Sequence, residues 1–342
     1  MKKLVFVINN FIIGGVEKFL LDLINRLDKD KFSITIIAVW GKGPLLEEFE
    51  KLGVPIKIYG YNSLFTKLLL LPVTFLRLTG FLLKTKPDIV ITSLWEADML
   101  GIFSSWIAGV KKRICIQHDI EMLSYFRRTI KIIFCIKLCT NIIAISNIVK
   151  EFLIKHWKAK NISVIYNGIN IHYWDNIDSN LGIGMIARME PVKGHMMLLR
   201  ALKNVLRPPT TYLIGDGSLR NSLEDYVLKN SLDVEFLGYR KDIREGLSKV
   251  DMVIVPSLRE GFGLTVIEAL FAGKIVLGSN AVSEILPEEF LFENSDELAE
   301  LLNRVLENKD FYIKKTQDWV LKNKERFDIK NTVLEYEKLL TK

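Results

Sequence analysis

Residues 251–270 read DMVIVPSLREGFGLTVIEAL, and the order of residue types in this stretch decides the fold. Residues 251–255 form a short apolar run of strand length, closed by Pro256. Gly261 and Gly263 then open a segment in which Val266, Ile267, Ala269 and Leu270 read as a helix over 264–272. A buried strand, a glycine-bearing turn and a helix make half of a strand–helix–strand unit, which implies a parallel sheet covered by helices. Glu268 is the odd residue of the stretch. A carboxylate among apolar neighbours near a helix start is costly unless something donates to it. A ribose diol and a structural ion pair would both serve.

The same unit recurs on either side. Strands are expected at 181–187, 211–214, 234–237, 251–255 and 274–278, with helices at 195–206, 218–230, 242–249, 264–272 and 296–308. The earlier half alternates in the same way. Its strands fall at 3–8, 33–39, 54–59, 88–92, 112–116, 141–145 and 162–166, with helices at 16–27, 44–52 and 147–156. Between the halves lies the polar stretch Asn167–Asn180, where Asn167-Gly168 marks a turn and a hinge. The reading is an α/β chain of two Rossmann-like, doubly wound domains facing across a cleft. The first spans 1–168 and the second 169–325, and a C-terminal helix over 326–342 packs back on the first. A chain of 342 residues also exceeds what one core usually serves.

About half the residues are apolar and a quarter charged, which excludes a disordered or fibrous chain. The net charge of +7 is unevenly placed. Residues 1–170 hold 24 basic and 13 acidic side chains, and the remainder is net acidic. A basic first half points to an anionic partner such as lipid headgroups, a diphosphate-linked acceptor or nucleic acid. The stretch 64–83 is the most apolar, but Lys67, Pro72 and Arg77 interrupt it, so it reads as a core helix or an amphipathic helix on a bilayer. The start, MKKLVFVINN, has the lysine pair of a signal peptide but too short an apolar run, and reads as the first strand. The three cysteines, Cys115, Cys135 and Cys139, suit a reducing compartment. Cys135 and Cys139, four apart on a helix, read as buried small apolar residues, since a zinc site would need more ligands and the four histidines are scattered.

In open parallel sheets ligands bind beyond the carboxyl ends of the strands, so the residues there carry the chemistry. Gly14 and Gly15 precede the first helix, where they form either a plain tight turn or a loop that lets an anion or a sugar reach free N–H groups. No Gly-x-Gly-x-x-Gly follows the first strand, which counts against a dinucleotide oxidoreductase. His118 and Asp119 follow the strand at 112–116, and a histidine there serves either a substrate hydroxyl or the loop itself. Arg188 and Lys193 flank Pro191 on one loop before Gly194, as two cations suited to a diphosphate. Glu260, with the N–H groups of Gly261 and Gly263, would face a sugar.

Here Glu260-Gly-Phe-Gly-Leu-Thr-Val-Ile-Glu268 resembles the Glu-x7-Glu motif of the retaining glycosyltransferases of family 4, "glycosyl transferases group 1", which have the GT-B fold. Other segments agree in order: Gly14-Gly15-Val16-Glu17, Ala144-Ile-Ser146, Val164-Ile-Tyr-Asn167-Gly168, Arg188-Met-Glu-Pro-Val-Lys193-Gly194, Ile214-Gly-Asp-Gly217, Phe236-Leu-Gly238 and Ser283-Glu284-Ile285. The resemblance covers nearly the whole chain. It implies an enzyme that moves a sugar from a UDP- or GDP-sugar to a glycan acceptor. In it Arg188 and Lys193 bind the donor diphosphate, and Glu268 holds the ribose. Glu260, Gly261, Phe262, Gly263 and Leu264 lie against the transferred sugar and diphosphate. His118 lies at the reacting centre, and Gly14 and Gly15 against donor or acceptor.

No cofactor and no metal are expected, because the two cations and helix N-termini would stabilise the leaving diphosphate and no Asp-x-Asp motif is read as a metal site. Ala187 stands where the family usually has glycine. Ser279-Asn280-Ala281-Val282-Ser283 lacks a glycine pair common in the family, which leaves the donor sugar open. Charge and family together suggest a polyprenyl-diphosphate-linked acceptor and a cytoplasmic enzyme peripheral to the anionic inner leaflet, in lipopolysaccharide or other surface-polysaccharide synthesis, with no nucleic-acid partner. A nucleotide-sugar epimerase of the same fold and a polyanion-binding protein are the alternatives.

Overall fold

The computed structural model of the chain describes residues 1–60, 64–120, 124–175, 177 and 181–342, with only the backbone of 64–69. Four residues of the 167–180 stretch, and part of the 64–83 stretch, thus lie outside the described side chains. The chain divides into two compact units, one of Met1–Gly168 with Ile329–Lys342 and one of Ile169–Asp328.

The first unit is built on seven parallel strands: β1 (Lys2–Ile8), β2 (Phe32–Ala38), β3 (Ile56–Ile58), β4 (Ile89–Ser93), β5 (Lys112–Gln117), β6 (Asn141–Ala144) and β7 (Ile162–Val164). Their order in the sheet is β3-β2-β1-β4-β5-β6-β7. β1 is an interior strand, pairing Leu4 with Ile34 on one side and with Ile89 on the other. Its residues Leu4–Ile8 are buried on both faces, which is why the run is continuously apolar rather than alternating. The second unit repeats the design with β8 (Ile183–Ile186), β9 (Thr211–Ile214), β10 (Val234–Gly238), β11 (Met252–Val255), β12 (Ile275–Ser279) and β13 (Leu291–Phe292), ordered β10-β9-β8-β11-β12-β13. In each sheet the winding reverses once, between β1 and β4 and between β8 and β11. Crevices open at those points, at the carboxyl ends of the strands.

Helix Leu64–Thr85 is a core helix on one face. Its Leu78 and Leu82 are fully buried against Val5, Val7, Val39, Val90 and Ala97, while Leu76 and Leu83 face outward. No helix among the described residues is long and apolar enough to cross a membrane. Helix Trp95–Ile107 has no counterpart in the sequence reading. It lies close on the sheet through Ala97, Gly101, Ser104 and Ser105, and a Cβ at Gly101 would stand 2.6 Å from Thr92 Cγ2. Helix Lys309–Phe327 was also not expected. It is polar almost all round and holds on through Tyr312, Trp319 and Phe327, with Trp319 Nε1 donating to the Ile285 carbonyl at 2.8 Å.

The last helix begins at Ile329, after a break at Asp328, and belongs to the first unit. Lys2 Nζ donates to the carbonyls of Leu340 and Thr341 at 3.0 and 2.8 Å. Glu337 accepts from Lys31 Nζ and from the Asp28 N–H, both at 2.9 Å. Gly168 leaves room for it, since a Cβ there would stand 2.5 Å from Thr332 Oγ1.

Leu82→Ala should cost about 2–5 kcal/mol, the cost of truncating a fully buried leucine, whereas Leu76→Ala should stay within about 0.5 kcal/mol. Urea unfolding followed by tryptophan fluorescence measures both.

Candidate functional site

In the second unit the loop after β8 and the loop after β11 are locked together. Gly194 has φ +76°, and a Cβ there would overlap the Pro256 carbonyl oxygen. Only glycine lets the two loops meet. The Leu258 N–H donates to the Val192 carbonyl at 2.8 Å across the same seam. The loop after β9 joins them, as Met189 exchanges backbone hydrogen bonds with Asp216 and Leu219.

This packing brings Lys193 and Glu260, 67 residues apart, to 2.8 Å, both about one-fifth exposed. Arg188 is exposed on the rim of a cleft of about 490 Å³, which it lines with Glu190, Pro191, Val192, Leu258 and Arg259. Hydrogen bonds from Ser218, helped by the Arg188 charge, hold the Glu190 carboxyl below the usual range. Arg259 is a third cation here that the sequence reading passed over, because a lone arginine in a loop carries no pattern.

Helix Leu264–Phe271 starts at Gly263, whose φ of +86° is the left-handed turn that ends the glycine segment. Glu268 is the fifth residue of this helix, little more than one turn in, and is half-buried. Beside that helix packs the short turn Ile171–Trp174. Its Tyr173 lies under the Arg244 guanidinium at 3.7 Å, and Arg244 is paired with Asp242. The Phe262 side chain is only 6% exposed and packs on Phe327, so what residue 262 offers a ligand is backbone.

In the first unit Asn9, at the end of β1, donates to Glu96 Oε2 at 2.6 Å and accepts from the Ala97 N–H at 2.9 Å. It thereby caps helix Trp95–Ile107. Leu94, between β4 and that helix, has φ +76°, a strained value for leucine of the kind that gathers at functional sites. His118 stands just beyond β5, with Nε2 2.9 Å from Ser93 Oγ and its ring edge-on to Phe19, while its Nδ1 has no partner among the described residues. Burial, with the Lys131 charge adding to it, lowers its pKa to about 3, so the imidazole is neutral. Gly14 and Gly15 open helix Gly15–Arg26, and a Cβ at Gly14 would stand 2.5 Å from the carboxylate of Glu17. Glu17 is buried, which pushes its carboxyl up.

The chain contains one Asp-x-Asp spacing, Asp28-Lys29-Asp30. Asp28 is held there by Lys31 at 3.0 Å and by the Asp30 N–H, on the loop entering β2 at its amino end, away from the crevice. Cys135 is buried, as its place in the sequence implies, and Cys139 is part-exposed. Cys115 of β5 joins Cys135 and Cys139 to form one cluster.

Residues 13–173 match the family model described as Glycosyltransferase Family 4, and residues 180–308 that of Glycosyl transferases group 1. The chain belongs to the family 4 glycosyltransferases. This glycosyltransferase is 28% identical over 303 residues, 79% of its own length and 77% of the relative's, to an Escherichia coli enzyme, UDP-Gal:alpha-D-GlcNAc-diphosphoundecaprenol alpha-1,3-galactosyltransferase. It is 25% identical, over 79% of its length and 77% of the relative's, to a Campylobacter jejuni alpha-1,4-N-acetyl-D-galactosaminyltransferase named for a PP-undecaprenol-linked acceptor. The structure of Anabaena HepE in complex with UDP and glucose superposes over the whole of both chains with a TM-score of 0.87 at 22% identity. That likeness fixes the GT-B architecture of the glycosyltransferase.

His195, two residues after Lys193, is fully buried with neither ring nitrogen partnered among the described residues, and burial lowers its pKa to about 4. Both His118 and His195 are therefore neutral in the folded chain and take up a proton on unfolding below about pH 6.5. Their contribution is complete above that pH and is lost as the pH falls towards 4 and then 3. The urea midpoint should drop between pH 6.5 and 4, and less steeply in the His195→Gln variant.

Proposed function

We propose that the glycosyltransferase moves a sugar from a UDP- or GDP-linked donor to a glycan carried on a polyprenyl diphosphate, with retained anomeric configuration. It would do so at the cytoplasmic face of a bacterial membrane, in surface polysaccharide or glycoconjugate synthesis. The observation that carries the donor half is the pairing of Lys193 with Glu260 beside Arg188. This is a cation held half-neutralised, next to a second cation, at the point where the sheet's winding reverses. A donor diphosphate takes both cations, and Lys193 exchanges its carboxylate for phosphate oxygens. Glu260 is then free to accept from a sugar hydroxyl. The N–H groups of Gly261 to Leu264, at the start of the helix, add their partial positive charge to the same anion. Glu268, further along that helix, accepts from the ribose hydroxyls.

In the reaction the bond from the anomeric carbon to the diphosphate oxygen breaks. The acceptor oxygen bonds to that carbon on the same face, and its proton passes to the leaving phosphate. Charge grows on the diphosphate as this happens, so Arg188 and Lys193 stabilise the transition state more than the ground state. The neutral His118, with one ring nitrogen on Ser93 and the other unpartnered, serves as a hydrogen-bonding partner of a sugar hydroxyl rather than as a proton source. No metal is required in this scheme.

Three observations support the acceptor half. The first unit is the basic one. It holds a cleft of about 720 Å³ lined by Tyr125, Arg128, Lys137, His156, Lys158 and Lys160. Beside it runs an aromatic ribbon in which Phe103 stacks on Phe75 and Trp106 and meets Phe134 edge-on, with Trp106 51% exposed. An exposed aromatic ribbon next to a basic cleft fits a membrane interface with anionic headgroups. Two relatives are also named for undecaprenol-linked acceptors.

Glu268→Ala should weaken nucleoside diphosphate binding at least tenfold by calorimetry, and Arg188→Ala should lower kcat by two or more orders of magnitude with a smaller change in KM. Normal activity in both would move the donor site elsewhere. In sedimentation with vesicles, the wild type should bind anionic lipid more than neutral lipid, and Trp106→Ser with Phe134→Ser should lower the fraction bound to anionic vesicles severalfold. A variant that sediments with anionic vesicles as the wild type does would remove the aromatic ribbon from the account.

A further inference from the structure

Cys115, Cys135 and Cys139 come from different parts of the chain and meet inside the first unit. Cys115 lies in β5, Cys135 on the single π-turn Ile132–Ile136, and Cys139 just beyond it. Their sulfurs all lie within 4.8 Å of one another, and the Cys115 and Cys139 sulfurs are 3.3 Å apart. All three are free thiols. Among the described residues this is the one group of three or more metal-ligating side chains close enough to share an ion. Nothing in the proposed sugar transfer uses it.

The surroundings are those of a ligand set rather than of ordinary core packing. Lys131, fully buried, pairs with Asp98 at 3.3 Å, and its charge acts on Cys115. Hydrogen bonds from the other two thiols, together with that ammonium, hold Cys115 well below the ordinary thiol range, while burial pushes Cys135 and Cys139 up. A π-turn adds a residue to a helical turn and re-aims its side chains, a device frequent at functional sites. Here it carries Cys135. Cys115 and Cys135 are completely buried, but Cys139 is part-exposed and lines the basic cleft, so an ion has a way in.

We propose that Cys115, Cys135 and Cys139 form a trithiolate site for a thiophilic cation of the Zn²⁺ class, with a fourth position open towards the cleft for water. Zinc–sulfur bonds of about 2.3 Å in a tetrahedral site need sulfurs somewhat under 4 Å apart, which the cluster reaches by small side-chain rotations. Three thiolates around a dication leave one net negative charge, opposite the Lys131 ammonium. Binding displaces whatever protons the three sulfurs carry, so affinity falls as the pH is lowered. The ion would tie β5 to the π-turn.

The test uses the full chain, reduced and stripped with a chelator, and titrated with Co²⁺ as the probe. Thiolate-to-cobalt charge-transfer absorption and tetrahedral d–d bands should saturate at one equivalent, vanish on adding one equivalent of Zn²⁺, and be accompanied by a rise in Tm with Zn²⁺. Cys139→Ser, at the part-exposed position, should weaken binding at least tenfold and reduce the charge-transfer intensity. In the wild type, bound Zn²⁺ should slow alkylation of Cys139 by iodoacetamide, a readout that needs no variant. Absence of the charge-transfer band, binding that does not saturate at one equivalent, or unchanged binding in Cys139→Ser together with unprotected alkylation would overturn the proposal.

Discussion

The candidate donor site depends on one close approach, that of Gly194 to the Pro256 carbonyl. Any side chain at 194 would push the loop after β8 off the loop after β11. Because the two loops touch, Lys193 reaches Glu260, and Arg188 and Arg259 line the same cleft. In the ligand-free chain Glu260 pairs with Lys193, and Glu190 lies within reach of the Arg188 charge. In the proposed binding a diphosphate would replace those carboxylates without moving the backbone, which is what preorganised charge stabilisation requires.

The scaffold makes that approach possible. Two parallel sheets with the same winding each reverse direction once, and each presents its chemistry-bearing residues at the reversal. In the first unit these are Asn9, Glu96, Ser93 and His118. In the second they are Arg188, Lys193, Glu260 and Glu268. The strained Leu94 and the left-handed Gly194 and Gly263 all fall at these edges, and the strands behind them are buried but for the last residues of β8 and β11. Rigid, apolar strands hold the strained polar turns in place.

Much of this is legible in the sequence, for a physical reason. A parallel sheet buried on both faces writes its strands as continuous apolar runs, and the glycine turns punctuate them. β8, β9 and β11 fall within a residue or two of where their runs place them, and Glu260 and Glu268 stand out because carboxylates are costly there. Helix Trp95–Ile107 escapes because its buried face carries Asp98, Gly101, Ser104 and Ser105 while Trp106 and Ile107 are exposed, so no apolar 3.6-residue stripe appears. Helix Lys309–Phe327 escapes for the opposite reason, being polar on most of its surface. The Lys193–Glu260 pair, the Tyr173–Arg244 stack and the meeting of Cys115 with Cys135 and Cys139 are tertiary facts joining residues 20 to 71 positions apart, and no local pattern encodes them.

The central claim is that Lys193 is the diphosphate's cation and Glu260 its stand-in anion. The most direct measurement is calorimetric titration of the wild type, Lys193→Ala and Glu260→Gln with UDP and GDP, and with the matching nucleosides. The account predicts that Lys193→Ala weakens binding of the preferred diphosphate at least tenfold and leaves the nucleoside unaffected, while Glu260→Gln binds that diphosphate as tightly as the wild type or more so. Equal loss of diphosphate and nucleoside in Lys193→Ala, or diphosphate binding that Lys193→Ala leaves untouched, would contradict it.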